Sequence, residues 1–214
     1  MNEGGIRERG SGPMSGPALV PAVALASAIA QVVPGAARHL ELVRGVAARG
    51  EPWRILGSHL AHFSGAHFLL DIVVFLALGL VCEQLAPRRT WWALALAALA
   101  IPAAVLAFAP QLSTYRGLSG LDSALFALLA THHVRSKGSR SKIGLAAGAL
   151  FAGKVVFEVC TGASLFLDAG SAGFVPVPIA HAAGALCGAV AGFAPHLDRA
   201  PRIASPEGSR PASC

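Results

Sequence analysis

Apolar residues in this chain come in long unbroken runs separated by short polar tracts. Runs of that kind predict helices that are apolar on every side, as in a bilayer, rather than amphipathic surface helices. Six stand out, over residues 18–33, 66–85, 91–109 (with Pro102 inside), 118–131, 143–159 and 177–195. Crossing a hydrocarbon core takes about 17 to 25 residues, so the fourth is short. The pattern predicts an all-α membrane protein, a six-transmembrane-helix bundle over residues 17–196. The flanking stretches, 1–16 and 197–214, are rich in Gly, Pro and Ser and are expected to be disordered cytoplasmic tails.

Composition agrees with the pattern. Hydrophobic residues make up 54% of the 214 positions and charged residues 13%, with a mean hydropathy of +0.60. A soluble domain carries about a quarter charged residues, so a cytosolic enzyme, a disordered chain and a disulfide scaffold are all excluded. The net charge of +6 raises the question of nucleic acid. The basic residues, however, lie in tracts between apolar runs, where a polytopic protein places its cytoplasmic loops. No nucleic-acid partner is expected; the lipid bilayer is.

With the N-terminus inside, Arg7, Arg9, Arg88, Arg89, Arg135, Lys137, Arg140, Lys142, Arg199, Arg202 and Arg210 fall on the cytoplasmic side. Arg38, Arg44, Arg49, Arg54 and Arg116 fall outside. That bias places both termini in the cytoplasm. A competing reading takes the first span, preceded by Arg7 and Arg9 and followed by Gly35-Ala36-Ala37, as a signal peptide. The four cysteines show no paired spacing and read as small packing residues.

Ionisable residues inside apolar runs need a reason. The second span opens with His67 and Asp71, four apart and therefore on one helix face. The fourth opens with Arg116-Gly117-Leu118-Ser119-Gly120, and the sixth carries His181 followed by Gly184, Gly188 and Gly192. Helices 2, 4 and 6 start on the same side of the membrane, so His67, Asp71, Ser119 and His181 lie at similar depth. A serine, two histidines and a carboxyl at one level can form a hydrolytic site. The glycine ridge lets another backbone approach His181 closely. Each piece also has a plain structural reading: Ser119 as a helix cap completed by Asp122, His181 as a hydrogen-bonded link between helices, and the glycines as packing. Lys154 and Glu158, four apart in helix 5, read as a structural ion pair. Metal is not expected, because His59 and His62 lack a well-placed carboxylate; no cofactor is expected either.

Together these residues resemble the rhomboid intramembrane serine proteases. The matching features are Trp53-Arg54 in a long first outer loop, His62-x4-His67, Gly117-Leu118-Ser119-Gly120, and Ala180-His181-x2-Gly184-x3-Gly188. Asp71, where rhomboids generally have asparagine, and Lys154-x3-Glu158-x2-Thr161-Gly162-Ala163-Ser164 resemble the rhombosortase branch in particular. The resemblance implies a rhomboid-like bundle in a bacterial inner membrane, with a Ser119–His181 dyad facing the periplasmic side. It implies His67, Asp71, Leu118 and Gly117 as oxyanion and supporting positions, with Gly184, Gly188, Lys154 and Glu158 structural. Substrates would be transmembrane or C-terminally anchored proteins, in this branch those with a GlyGly-CTERM tail. Asp71 is open to two roles, a protonated donor or a carboxylate that orients His67. Many rhomboids carry an aromatic residue four after the serine; this chain has Ser123, so support for His181 must come from elsewhere. The alternative in another class is a rhomboid-like protein that binds membrane segments without cutting them.

Overall fold

The computed structural model describes residues 19–46, 49–162 and 177–198. Helices occupy all six apolar runs: α1 (Leu19–Val32), α4 (Gly65–Leu85), α5 (Pro87–Phe108), α6 (Ser119–Val134), α7 (Ser139–Thr161) and α8 (Pro178–Phe193). Of these, α4, α5 and α7 are long and apolar enough to cross a membrane, while α1 and α8 are shorter apolar helices. The tails lie largely outside the described residues. At the C-terminal end a 3₁₀ turn runs over Pro195–Asp198, and Leu197 is buried.

Local chemistry sets the boundaries. Ser64 caps α4, its hydroxyl accepting from the His67 N–H. Ala86 alone separates α4 from α5, and Pro87 takes the first helical position, where its missing N–H costs nothing. Helix α5 therefore begins before Trp91, and Arg88 and Arg89 lie in its first turn rather than in a loop. Buried Arg89 donates to the carbonyls of Ala191 and Ala194, and Arg135 to that of Gly192. Two cations thus complement the C-terminal end of α8. Between the fourth and fifth apolar runs only a turn at 135–138 is left, since His132 and His133 continue α6 and Arg140 and Lys142 belong to α7.

The stretch between α1 and α4 is a structured cap. It holds α2 (Ala36–Leu40), β1 (Leu42–Val43) and α3 (Trp53–Gly57). Strand β1 pairs antiparallel with β2 (Thr114–Tyr115), Leu42 opposite Tyr115 and Val43 opposite Thr114. This short ribbon is the one departure from an all-helical chain among the described residues. The Arg44 guanidinium reaches the carbonyls of Leu106, Ala109 and Leu112, closing the end of α5. Trp53 Nε1 donates to the His39 carbonyl, and Arg54 to the carbonyls of Arg38 and Glu41.

The bundle core is small-residue packing. Helices α6 and α8 pack most closely, and the Gly184, Gly188 and Gly192 ridge lies in that seam. A methyl on Gly184 would overlap the Gly120 carbonyl, one on Gly188 the Ala124 carbonyl, and one on Gly192 the Thr131 hydroxyl. Helix α4 packs α1 at Gly79, whose missing side chain makes room for Val20. Glu83 accepts the otherwise free Val20 N–H at the start of α1.

Candidate active site

The segment that delivers Ser119 is held by three anchors. Gly117 N–H donates to the Ser58 carbonyl at 3.0 Å. Leu118 N–H donates to Asp71 Oδ2 at 2.9 Å. Arg116 makes two bonds to Glu41 Oε2, at 2.6 and 2.8 Å, and stacks over Phe63. Gly117 has φ +127°, and a side chain there would stand 3.0 Å from Asp71 Oδ2 and 3.1 Å from His67 Nε2. Glycine alone meets both demands.

Ser119 is the first residue of α6 and Leu118 occupies the cap position without a side-chain bond. Capping is therefore not its role, and Asp122 completes no capping box; its buried Oδ1 has no partner among the described residues. The helical ladder opens with Asp122 N–H donating to the Leu118 carbonyl. The amides of Ser119 and Gly120 precede that ladder, at the end of a helix where free N–H groups favour a developing anion.

Asp71 is a hub. Besides the Leu118 amide, its Oδ2 lies 3.2 Å from His62 Nε2 and 3.3 Å from His67 Nε2. Phe63 N–H donates to His67 Nδ1, so in the neutral ring the proton sits on Nε2, the nitrogen facing Asp71. All three side chains are buried. His62 is the least foreseeable member: its spacing to His67 is visible in the chain, its contact with Asp71 is not. Nearby His59 donates Nε2–H to the Ala98 carbonyl. Burial pushes His59 down to about 4, so it is neutral at ordinary pH.

His181 stands in the first turn of α8, next to Ala180, whose carbonyl abuts Gly120. The seam thus sets His181 beside the start of α6, where Ser119 is. No hydrogen bond joins the Ser119 hydroxyl to His181 among the described residues. The His181 ring is instead held from α7, with Nδ1 2.9 Å from Glu158 Oε2, while Glu158 Oε1 takes a bond from Lys154 Nζ at 2.7 Å. The i,i+4 spacing of Lys154 and Glu158 announces their pairing; the third partner, across the bundle, has no signal in the chain. Ser123 does not reach the histidine and donates to the Ser119 carbonyl. Thr161 and Gly162 close α7, Gly162 as its left-handed cap, and Ala163 and Ser164 lie outside the described residues.

A serine at a helix start, a histidine on a neighbouring apolar helix and a buried His–Asp cluster that holds the serine segment lie in a chain with three helices long and apolar enough to cross a membrane. The Rhomboid domain model matches residues 49–197, most of the chain and every residue of this cluster. The chain belongs to the rhomboid family, whose members are generally intramembrane serine proteases acting on membrane proteins. No curated protein sequence matches it.

Proposed function

We propose that the protein is an intramembrane serine endopeptidase in which Ser119 is the nucleophile and His181 the base. The observation that supports this reading is the α6–α8 seam, where Gly120, the neighbour of Ser119, meets Ala180 and Gly184, which flank His181 on α8. His181 removes the Ser119 proton as Oγ attacks a peptide carbonyl, then delivers it to the leaving amine. The resulting acyl-enzyme is hydrolysed by water activated at the same histidine. The Ser119 amide donates to the oxyanion, and His67 does so once its ring turns its Nε2–H from Asp71 toward the substrate; one such donor lowers the barrier by about 3 kcal/mol. Asp71 serves as an acceptor that orients His67 and fixes Leu118, because the Leu118 N–H and His67 Nε2 both face its Oδ2. On that account Asp71→Asn loses activity on the order of 10-fold or more; full activity would favour a donor at this position.

The six helices form a six-span bundle with both termini cytoplasmic and the site near the periplasmic surface of a bacterial inner membrane. The positions of Lys and Arg support that orientation. Asp71 and the Lys154–Glu158 pair favour the rhombosortase branch, with substrates carrying a Gly-Gly motif, a hydrophobic helix and a basic end. The test is co-expression of such a reporter with wild type, Ser119→Ala and His181→Ala. Processing by wild type alone supports the protease and its branch together. Cutting of a general rhomboid substrate but not this reporter removes the branch. Failure to cut either, in folded protein, favours a client-binding role.

A further inference from the structure

Glu158 is 1% exposed, the most completely buried carboxylate among the described residues, and it lies near the end of α7, on a helix that otherwise contributes little to the core. A buried ion is costly unless it is paired and hydrogen-bonded. Both oxygens are engaged, one by Lys154 and one by the His181 ring. An ion pair formed only to neutralise itself needs no third member, and Lys154 is already within reach one turn back. The carboxylate is shared, and its second oxygen is spent on the histidine that stands beside Ser119.

We infer that Glu158 is a positioning residue for His181, so that the site works as a serine–histidine–glutamate triad with Lys154 as the countercharge. This rests on the Ser119–His181 reading and adds to it. A carboxylate only accepts, so Nδ1 carries the proton and Nε2 is left as the basic nitrogen. The bond also fixes the ring plane, the task an aromatic residue on α6 would otherwise perform and which Ser123 does not. When the imidazolium forms, the negative charge 2.9 Å away stabilises it. Lys154 offsets the desolvation of that charge and moderates its pull on the ring. Titratable groups at this end also include Asp122 on α6, the His62, His67 and Asp71 cluster, and the Arg116–Glu41 pair; among the described residues only Glu158 is hydrogen-bonded to the His181 ring.

The test is the pH profile of kcat/KM for reporter cleavage by the full chain in detergent or liposomes, with Ser119→Ala as the blank. Glu158→Gln keeps the shape and loses the charge. It is expected to lower kcat on the order of 100-fold or more with KM little changed, and to move the acid limb down. Glu158→Asp should recover activity relative to Glu158→Gln. Lys154→Met removes the opposing cation, leaves the Glu158–His181 bond, and should move the acid limb up. The two shifts have opposite signs, and a carboxylate that merely stabilises the fold would produce neither. If Glu158→Gln does not fold, Lys154→Met decides alone. Ser119-dependent cleavage with an unmoved acid limb in the folded variants overturns the triad and leaves the dyad. No Ser119-dependent cleavage by wild type overturns both.

Discussion

Helices α8 and α7 both pack against α6, in opposite ways. The α6–α8 seam is backbone against backbone: Gly184 and Gly188 meet carbonyl oxygens of Gly120 and Ala124, with no side chain between them. Helix α7 approaches the α6 backbone at Gly144, against Ala130 and Val134, and further along touches it through larger groups such as the stacked Phe126 and Phe151 rings. Only 11% of its apolar stretch is buried in the protein, against 28% for α4 and 33% for α5. Beside it a cleft of about 600 Å³, lined by residues such as Ala130, Gly148 and Leu186, opens between α6, α7 and α8. The tight seam fixes where Ser119 and His181 are; the loosely packed helix supplies the group that sets how the His181 ring is turned. Placement and orientation of the same base are thus delegated to elements of different rigidity. Close packing resists volume change, while a lipid-facing helix tolerates it.

The largest effect is expected in the α6–α8 seam. Gly188→Ala puts a methyl into the Ala124 carbonyl, which as backbone cannot move aside. Overpacking of this sort costs about 3 kcal/mol. The expected outcome is a clear fall in melting temperature together with loss of cleavage, read by thermal unfolding and reporter processing.

The cap next to the serine segment carries a buried histidine that responds to pH. His59 is buried with its pKa lowered to about 4 from 6.5. Below pH 6.5 the unfolded chain binds a proton that the folded one refuses, so stability falls as pH drops from about 6.5 to 4 and then levels off. The lost stability is about 3 kcal/mol, from 1.36 kcal/mol per pKa unit. Unfolding followed across that window should show this slope in wild type and a shallower one in His59→Gln.

Arg116 ties the cap to the serine segment through Glu41, with both side chains mostly buried. Arg116→Met should cost about 2 kcal/mol and lower kcat/KM by about tenfold, measured in the cleavage assay. The smallest effect belongs to α7. Gly148 has open space where a Cβ would go, so Gly148→Ala should leave cleavage intact. Its stability should rise by up to about 1 kcal/mol from helix propensity. Equal sensitivity of Gly148 and Gly188 would remove the distinction between the two regions.

Much of this was legible in the chain because one-dimensional signals governed it. Apolar run length locates the helices, and the four-residue glycine repeat marks the seam. The spacing of His67 and Asp71, and of Lys154 and Glu158, places each pair on one face. What stayed hidden needs two distant segments at once. Asp71 receiving the Leu118 amide and Glu158 receiving His181 each join residues far apart in sequence, 47 and 23 positions respectively. The early start of α5 was missed because Arg88 and Arg89 look like a loop until α8 is there to receive them. The capping reading of Ser119 fails for a similar reason. The turn at Gly117 is set by His67 and Asp71, which puts Leu118 rather than the serine in the cap position.

On this account the α6–α8 seam makes Ser119 and His181 a reactive pair. Covalent labelling by a fluorophosphonate probe in membranes, with the modified residue located by peptide mass analysis, tests it most directly. Labelling of Ser119 in wild type, absent in His181→Ala that still folds, is the predicted result. An unlabelled Ser119 in folded wild type, or labelling that persists without His181, would contradict it.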